Sequence, residues 1–196
     1  MLRTRAAIED AFVALVLDRG LDRVSVEDVA ERADVAKATF YAHYDNKEAV
    51  LAAVFARLTA ELVEQFAYRE GPWTEVRRGA VAAMFAHAHD MADLYRVCLA
   101  ETHVRARYTQ MFCDYAERNI RDRLAAVGRQ PRIPVPVLAR AFAGAHVAIL
   151  EAWLDGVITG TPQEVAAMEL DTVVGGLAWA HGLSLDEVGL AAPHDS

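Results

Sequence analysis

Between Ala33 and Val50 the sequence reads ADVAKATFYAHYDNKEAV, and Lys37, Thr39, Tyr41, His43 and Lys47 all carry side chains that donate hydrogen bonds to anions. No acid lies between Val35 and Tyr44, whereas the 196-residue chain has a formal net charge of -8. Donors gathered so locally suit phosphate oxygens, and affinity for DNA depends on where charge lies, not on its sum. Other chemistries find little support. His87 and His89 stand two apart and diverge by about 200° on a helix, so they make no metal pair. No GxSxG, HExxH, P-loop or dinucleotide fingerprint is present, and neither an enzyme, a metal nor a cofactor is expected. Cys98 and Cys113 lie in apolar helical patterns without CxxC spacing and are expected to be free buried thiols of a cytosolic protein.

The elements that must position these donors are helices. A hydrophobic content of 54% rich in alanine, with six prolines, predicts an all-α chain. Ile8, Ala11, Phe12, Leu15 and Val16 recur at helical spacing between Thr4 and Arg19, and Gly20 ends that helix. Ser25 then caps a short second helix, with Asp28 completing a capping box and Val24 placed to staple against Val29. A tight turn leads to a third helix, Ala36 to Tyr44. Asn46 caps a fourth, whose stripe runs from Val50 and Leu51 to Leu62 and Phe66.

Beyond Gly71 and Pro72 a second block is predicted: a helix from Trp73 to His89, one capped by Asp90, and a long one from His103 to Val127. Gly128 to Pro136 is a loop. Val137 to Val157 and Thr161 to Gly182 are apolar helices, the second opened by Thr161, Pro162 and Glu164. The division expected is 1–47, a connecting helix 48–70, a domain 71–182 and a tail 183–196. The FVALVL run near the start lacks the flanks of a signal peptide, and Arg140, His146 and Glu151 interrupt the longest apolar run, so no membrane span is expected.

Two short helices joined by a three-residue turn, behind a supporting helix, make a helix-turn-helix. Winding the third helix places Ala36, Phe40 and Tyr44 inward and Ala38 and Ala42 outward, flanked by Thr39 and Tyr41. Small outward residues let a backbone approach a major groove closely, with Lys37, His43 and Lys47 on phosphates along its edges. Arg3 and Arg5, ahead of the first helix, either reach phosphates or a minor groove or belong to a disordered start.

The segment from Val24 to Phe55, VSVEDVAERADVAKATFYAHYDNKEAVLAAVF, resembles the DNA-binding domain of the TetR family of transcriptional regulators. Thr39, Phe40, Tyr41, His43, Tyr44 and Lys47 fill that family's threonine-aromatic-tyrosine-any-histidine-aromatic pattern and its following lysine. By this resemblance Lys37, Ala38, Thr39, Tyr41, His43 and Lys47 contact DNA, with Ser25 contributing. Asp34 stands where glycine is usual, and Ala36 where a serine often caps the reading helix.

The resemblance implies an all-helical second domain for ligand binding and dimerisation. Phe142, Ile149, Trp153 and Leu177 among small residues such as Ala145, Gly175 and Gly176 make the last two helices the expected dimer interface. Met84, Met91, Tyr95, Tyr108, Met111, Phe112 and Tyr115 are expected as soft and aromatic walls of an effector pocket, with His87, Glu101 and His103 to orient the ligand. The chain is thus expected to be a cytoplasmic homodimeric repressor that binds a palindromic double-stranded operator and is released by a small, largely hydrophobic effector. The alternative is a DNA-binding regulator or architectural protein without such a ligand, controlled by a protein partner.

Overall fold

The computed structural model describes residues 2–66, 73–126, 128 and 130–181, with side chains over 3–60, 78–126, 128 and 130–173. The Gly71–Pro72 break and the tail 183–196 lie outside the described residues. Among the described residues every regular element is helical: α1 (Leu2–Arg19), α2 (Val26–Arg32), α3 (Lys37–Tyr41), α4 (Lys47–Phe66), α5 (Trp73–Asp90), α6 (Ala92–Ala100), α7 (Thr102–Ala126), α8 (Val135–Leu154) and α9 (Pro162–His181). A short 3-10 turn, Leu21–Arg23, follows α1. The chain packs as two compact units, residues 1–62 with 91–106, and residues 63–90 with 107–196.

In the first unit α1 packs on α2 and α6, and α2 on α3. Ile8, Phe12, Val29, Phe40, Val50 and Leu51 have no exposed surface and form its core. Local chemistry sets the helix ends. Ser25 Oγ accepts from Asp28 N at 3.1 Å while Asp28 Oδ2 accepts from Ser25 N at 2.9 Å, the reciprocal capping box. Asn46 Oδ1 accepts from Ala49 N at 2.8 Å and opens α4.

The end of α2 explains the unusual Asp34. Asp34 N donates to Glu31 O at 3.1 Å and Val35 N to Ala30 O at 3.0 Å, the paired bonds of a Schellman motif, which needs a left-handed residue between them. Asp34 supplies it at φ 53°, a conformation that aspartate tolerates better than β-branched residues. Asp34→Val is therefore expected to destabilise the protein by about 1–2 kcal/mol. A denaturant midpoint equal to that of the parent chain would show the turn to be unstrained.

Several boundaries differ from the sequence reading, α8 among them: it runs Val135–Leu154, beginning within the expected loop and ending three residues before Val157. The reading helix is five residues long, Lys37–Tyr41, because Ala36 has extended backbone at φ -66°, ψ 146° and serves as N-cap. Ala36 accordingly does not wind inward with Phe40 and is exposed. Asp90 caps nothing: α5 continues through it, and Met91 precedes α6 without a side-chain bond. Arg3 and Arg5 do not precede the first helix but lie within it.

In the second unit α5 and α8 both pack on α9. Phe85, Phe112, Leu138, Phe142, His146 and Leu150 are buried there. Helix α8 is long and apolar enough to cross a membrane by length and composition alone, but this face is occupied by protein, as in a core helix. It ends in a second Schellman motif, with Gly156 at φ 77° and Val157 N donating to Ala152 O at 2.8 Å. Thr161 and Glu164 exchange N-terminal bonds at 2.7 and 3.3 Å to open α9.

Candidate nucleic-acid interface and sensor core

Two aromatic anchors hold the reading helix. Phe40 is fully buried, and Tyr44, three residues past α3, is 5% exposed with its ring 6.1 Å from that of Phe40. The opposite side is open: Ala38 and Ala42 are exposed, Thr39 and His43 half-buried, and Tyr41 is 50% exposed, its ring set edge-on to Phe40. This alternation leaves a small-residue ridge between Thr39 and Tyr41, the form a helix needs to sit in a groove.

The two lysines are less available than the sequence suggests. Lys37 Nζ is paired with the Glu27 carboxylate in the first turn of α2, both side chains being exposed. That bond holds the Glu27 carboxyl below the usual carboxylate range and raises Lys37. Lys47 Nζ donates to Leu21 O at 2.8 Å and Val24 O at 3.0 Å, carbonyls of the turn after α1. Lys47 is thus first a fastener of α4. Ser25, although exposed, commits its hydroxyl to the capping box.

Behind the reading helix lies a polar cluster that the sequence reading missed. Glu9, on the inner side of α1 and only 5% exposed, accepts from Tyr44 Oη at 2.5 Å and Arg5 Nε at 3.2 Å on Oε1, and from Arg57 Nε at 3.1 Å on Oε2. Arg5 Nε also reaches Tyr44 Oη at 2.8 Å, and its guanidinium lies 5.1 Å from the centre of the Tyr44 ring. Burial, then the bond to Glu9, pushes the Tyr44 phenol up to about 12. Arg5 is therefore engaged within the unit. A charged residue beside Ile8 and Phe12, on the apolar side of α1, was the available signal.

The ten residues expected to line an effector pocket fall in both units. Met91, Tyr95, Glu101 and His103 belong to the first. Tyr95 is 1% exposed and packs edge-on against Phe55 at 5.1 Å, Glu101 is the C-cap of α6, and His103 is exposed. Cys98 beside them is fully buried, and burial pushes its thiol up to about 12, so it is inert.

Met84, His87, Tyr108, Met111, Phe112 and Tyr115 belong to the second unit. Met84, Tyr108 and Phe112 are buried, the others half-buried. Several converge on His146, which the sequence reading took only as an interruption in an apolar run. The Phe112 ring stacks on the His146 imidazole at 3.9 Å and 10°, and Phe85 meets it edge-on at 5.5 Å. His146 Nδ1 stands 3.0 and 3.2 Å from the two oxygens of Glu169, and Nε2 stands 3.2 Å from Tyr108 Oη. Nδ1 thus faces the Glu169 carboxyl and Nε2 the Tyr108 hydroxyl, so both ring nitrogens have hydrogen-bond partners. His146 is 1% exposed and Glu169 fully buried.

The expected dimer residues also divide. Phe142 is 1% exposed and stacks on Phe112 at 6.4 Å, while Trp153 is buried edge-on against Phe85 and donates from Nε1 to Gly160 O at 3.0 Å. Both belong to the core of the second unit, because they wind to the same side of α8 as His146. Ala145 and Ile149 are half-buried at the border. The open side of α8 is Val137, Arg140, Ala141, Gly144 and Ala148. Gly175, Gly176 and Leu177 are in α9, and their surroundings lie outside the described residues.

The family model described as "Bacterial regulatory proteins, tetR family" matches residues 8–54. Two Bacillus subtilis proteins, both uncharacterized HTH-type transcriptional regulators, are similar: YxbF is 29% identical over 73 residues (37% of this chain), and YdeS is 48% identical over 48 residues (24%). The chain spans 19% and 24% of their respective lengths. Solved structures share the fold over most of the chain. Thermus thermophilus FadR, a repressor in complex with lauroyl-CoA, has a TM-score of 0.72 at 20% identity, covering 98% of this chain and 99% of its own. SmeT, the repressor of a Stenotrophomonas maltophilia multidrug efflux pump, has a TM-score of 0.70 at 19% identity, covering 88% and 89%. A SmeT–triclosan complex scores 0.66 at 21% identity, covering 88% and 90%.

Proposed function

We propose that this chain, whose residues 8–54 match the model of the tetR family of bacterial regulatory proteins, acts as a ligand-responsive repressor that binds a palindromic operator as a cytoplasmic homodimer. The observation that carries the DNA half of this reading is the exposed ridge of Ala38, Thr39, Tyr41 and Ala42 on a helix anchored from behind by Phe40 and Tyr44. In this reading Tyr41, Thr39 and His43 approach bases and phosphates. Lys37 exchanges the Glu27 carboxylate for a phosphate, and Lys47 and Ser25 hold their elements in register.

The effector is proposed to be small and largely hydrophobic. Triclosan on SmeT and the lauroyl chain of the acyl-CoA on FadR, two proteins of the same fold, support an apolar group as what is recognised. In the second unit Met84, Tyr108, Met111, Phe112 and Tyr115 would supply apolar and aromatic contacts, with His87 as a polar neighbour. Such an effector lowers operator affinity by favouring a conformation of the dimer that does not fit DNA, and operator lowers effector affinity by the same factor.

Selection of bound duplexes from a random-sequence pool tests this, followed by titration of the recovered duplex with lauroyl-CoA and triclosan as probes. Tyr41→Ala should weaken binding with an unchanged melting temperature, since the side chain is half exposed. Glu27→Gln should tighten it and steepen the salt dependence by about one phosphate contact, because Lys37 no longer trades one anion for another. A pool that yields no enriched sequence would sink the operator reading. An enriched duplex that neither probe releases would leave the partner-controlled alternative.

A further inference from the structure

We infer that Glu9 is a specificity-determining residue for the spacing of operator half-sites, acting through the residues it clamps and not by touching DNA. The inference rests on the dimeric operator reading above. Its ground is the convergence of three elements on one buried carboxylate: α1 through Glu9 and Arg5, the trailing end of the reading helix through Tyr44, and the third turn of α4 through Arg57. Arg57 also lies 3.9 Å from Asp10, so α4 meets two acids of α1.

Phe40, Val50, Leu51 and Phe55 are buried in this unit, and the hydrophobic effect that buries them is non-directional, so burial alone does not single out one rotation of a helix. Charge-assisted bonds are directional. Lys47 grips the turn after α1 at one point, and Arg57, ten residues or about 15 Å further along α4, grips Glu9 at another. Two separated attachments remove a rotation that one would leave free. Tyr44 ties the reading helix into the same carboxylate, its backbone N also bonding Phe40 O at 2.9 Å. A leucine at this site would meet the needs of the core without the desolvation cost of a carboxylate, so the charge provides direction more than cohesion. In a dimer, the freedom of each head on its own α4 sets how far two half-sites can depart from the preferred separation.

The test uses the full chain and the tightest duplex recovered from the random pool, together with the same duplex carrying one base pair more or fewer between half-sites. The wild-type protein should prefer the native spacing roughly tenfold or more. Arg57→Met keeps the stem and leaves Glu9 with Arg5 and Tyr44, and Tyr44→Phe keeps the ring and removes the hydroxyl. Both should reduce the preference to within about threefold while leaving the salt dependence unchanged, since no phosphate contact is lost. Affinities are compared below the melting transition of every variant, so a loss of folded protein does not alter the ratio. An undiminished spacing preference in both folded variants overturns the inference. So does unfolding of both at the assay temperature, which would make the cluster structural only. If the wild-type protein recovers only single half-sites, the dimeric operator reading itself fails, and this inference with it.

Discussion

His146→Leu is expected to destabilise the protein by about 3–5 kcal/mol, because it strands the Glu169 carboxylate, which is fully buried, without the imidazole that satisfies it. For a chain of this size that corresponds to a melting temperature lower by roughly 6–20 °C. The apolar surface gained by leucine offsets little of the cost, since a buried carboxyl left without its partner costs more than one side chain's burial contributes. The double variant His146→Leu/Glu169→Leu separates the two effects. With both polar groups gone it should recover most of the loss. Urea unfolding of the parent, the single and the double variants checks this. A double variant as unstable as the single one would mean that volume, not the stranded carboxylate, sets the cost.

Gly144→Glu should lower operator affinity by about 10²–10⁴-fold while the subunit stays folded. Gly144 lies on the open side of α8 with Val137, Arg140, Ala141 and Ala148, and a Cβ built there meets nothing within 4 Å in its own subunit. The subunit can therefore carry a larger side chain, whereas a proposed dimer packed through this small-residue face would have to bury a glutamate from each partner. A monomer loses the effective concentration of the second head, which is the source of the large factor. Sedimentation and operator titration measure both consequences. A dimer with parental affinity would place the interface on another surface. The equivalent substitution at Phe142 would be uninformative, since that ring is core.

Most N-caps were legible in the sequence, since their partners lie three residues on, although Asp90, read as a cap, is absorbed into α5. The Ser25–Asp28 box, the Asn46 cap and the Thr161–Glu164 pair form as read, because an N-cap and its N3 residue are placed by the first helical turn whatever surrounds them. Periodicity likewise placed Phe40 and Tyr44 inward and left Ala38, Ala42 and Tyr41 outward. Tertiary structure alone decided the rest. Lys47 finds carbonyls 26 and 23 residues away, Tyr44 finds Glu9 across 35 residues, and His146 finds Glu169 across 23. No local rule fixes such pairs. A lysine or glutamate reads as a solvated group until the packing of other helices brings an oppositely matched group to it and removes the water. The inner side of α8 was partly legible, because Leu138, Phe142, Leu150 and Trp153 recur on one side while the other carries Val137, Arg140, Ala141, Gly144 and Ala148. Packing against α9 selected the side with Phe142, His146 and Trp153, since only that side offers the volume and the one imidazole that a buried Glu169 requires.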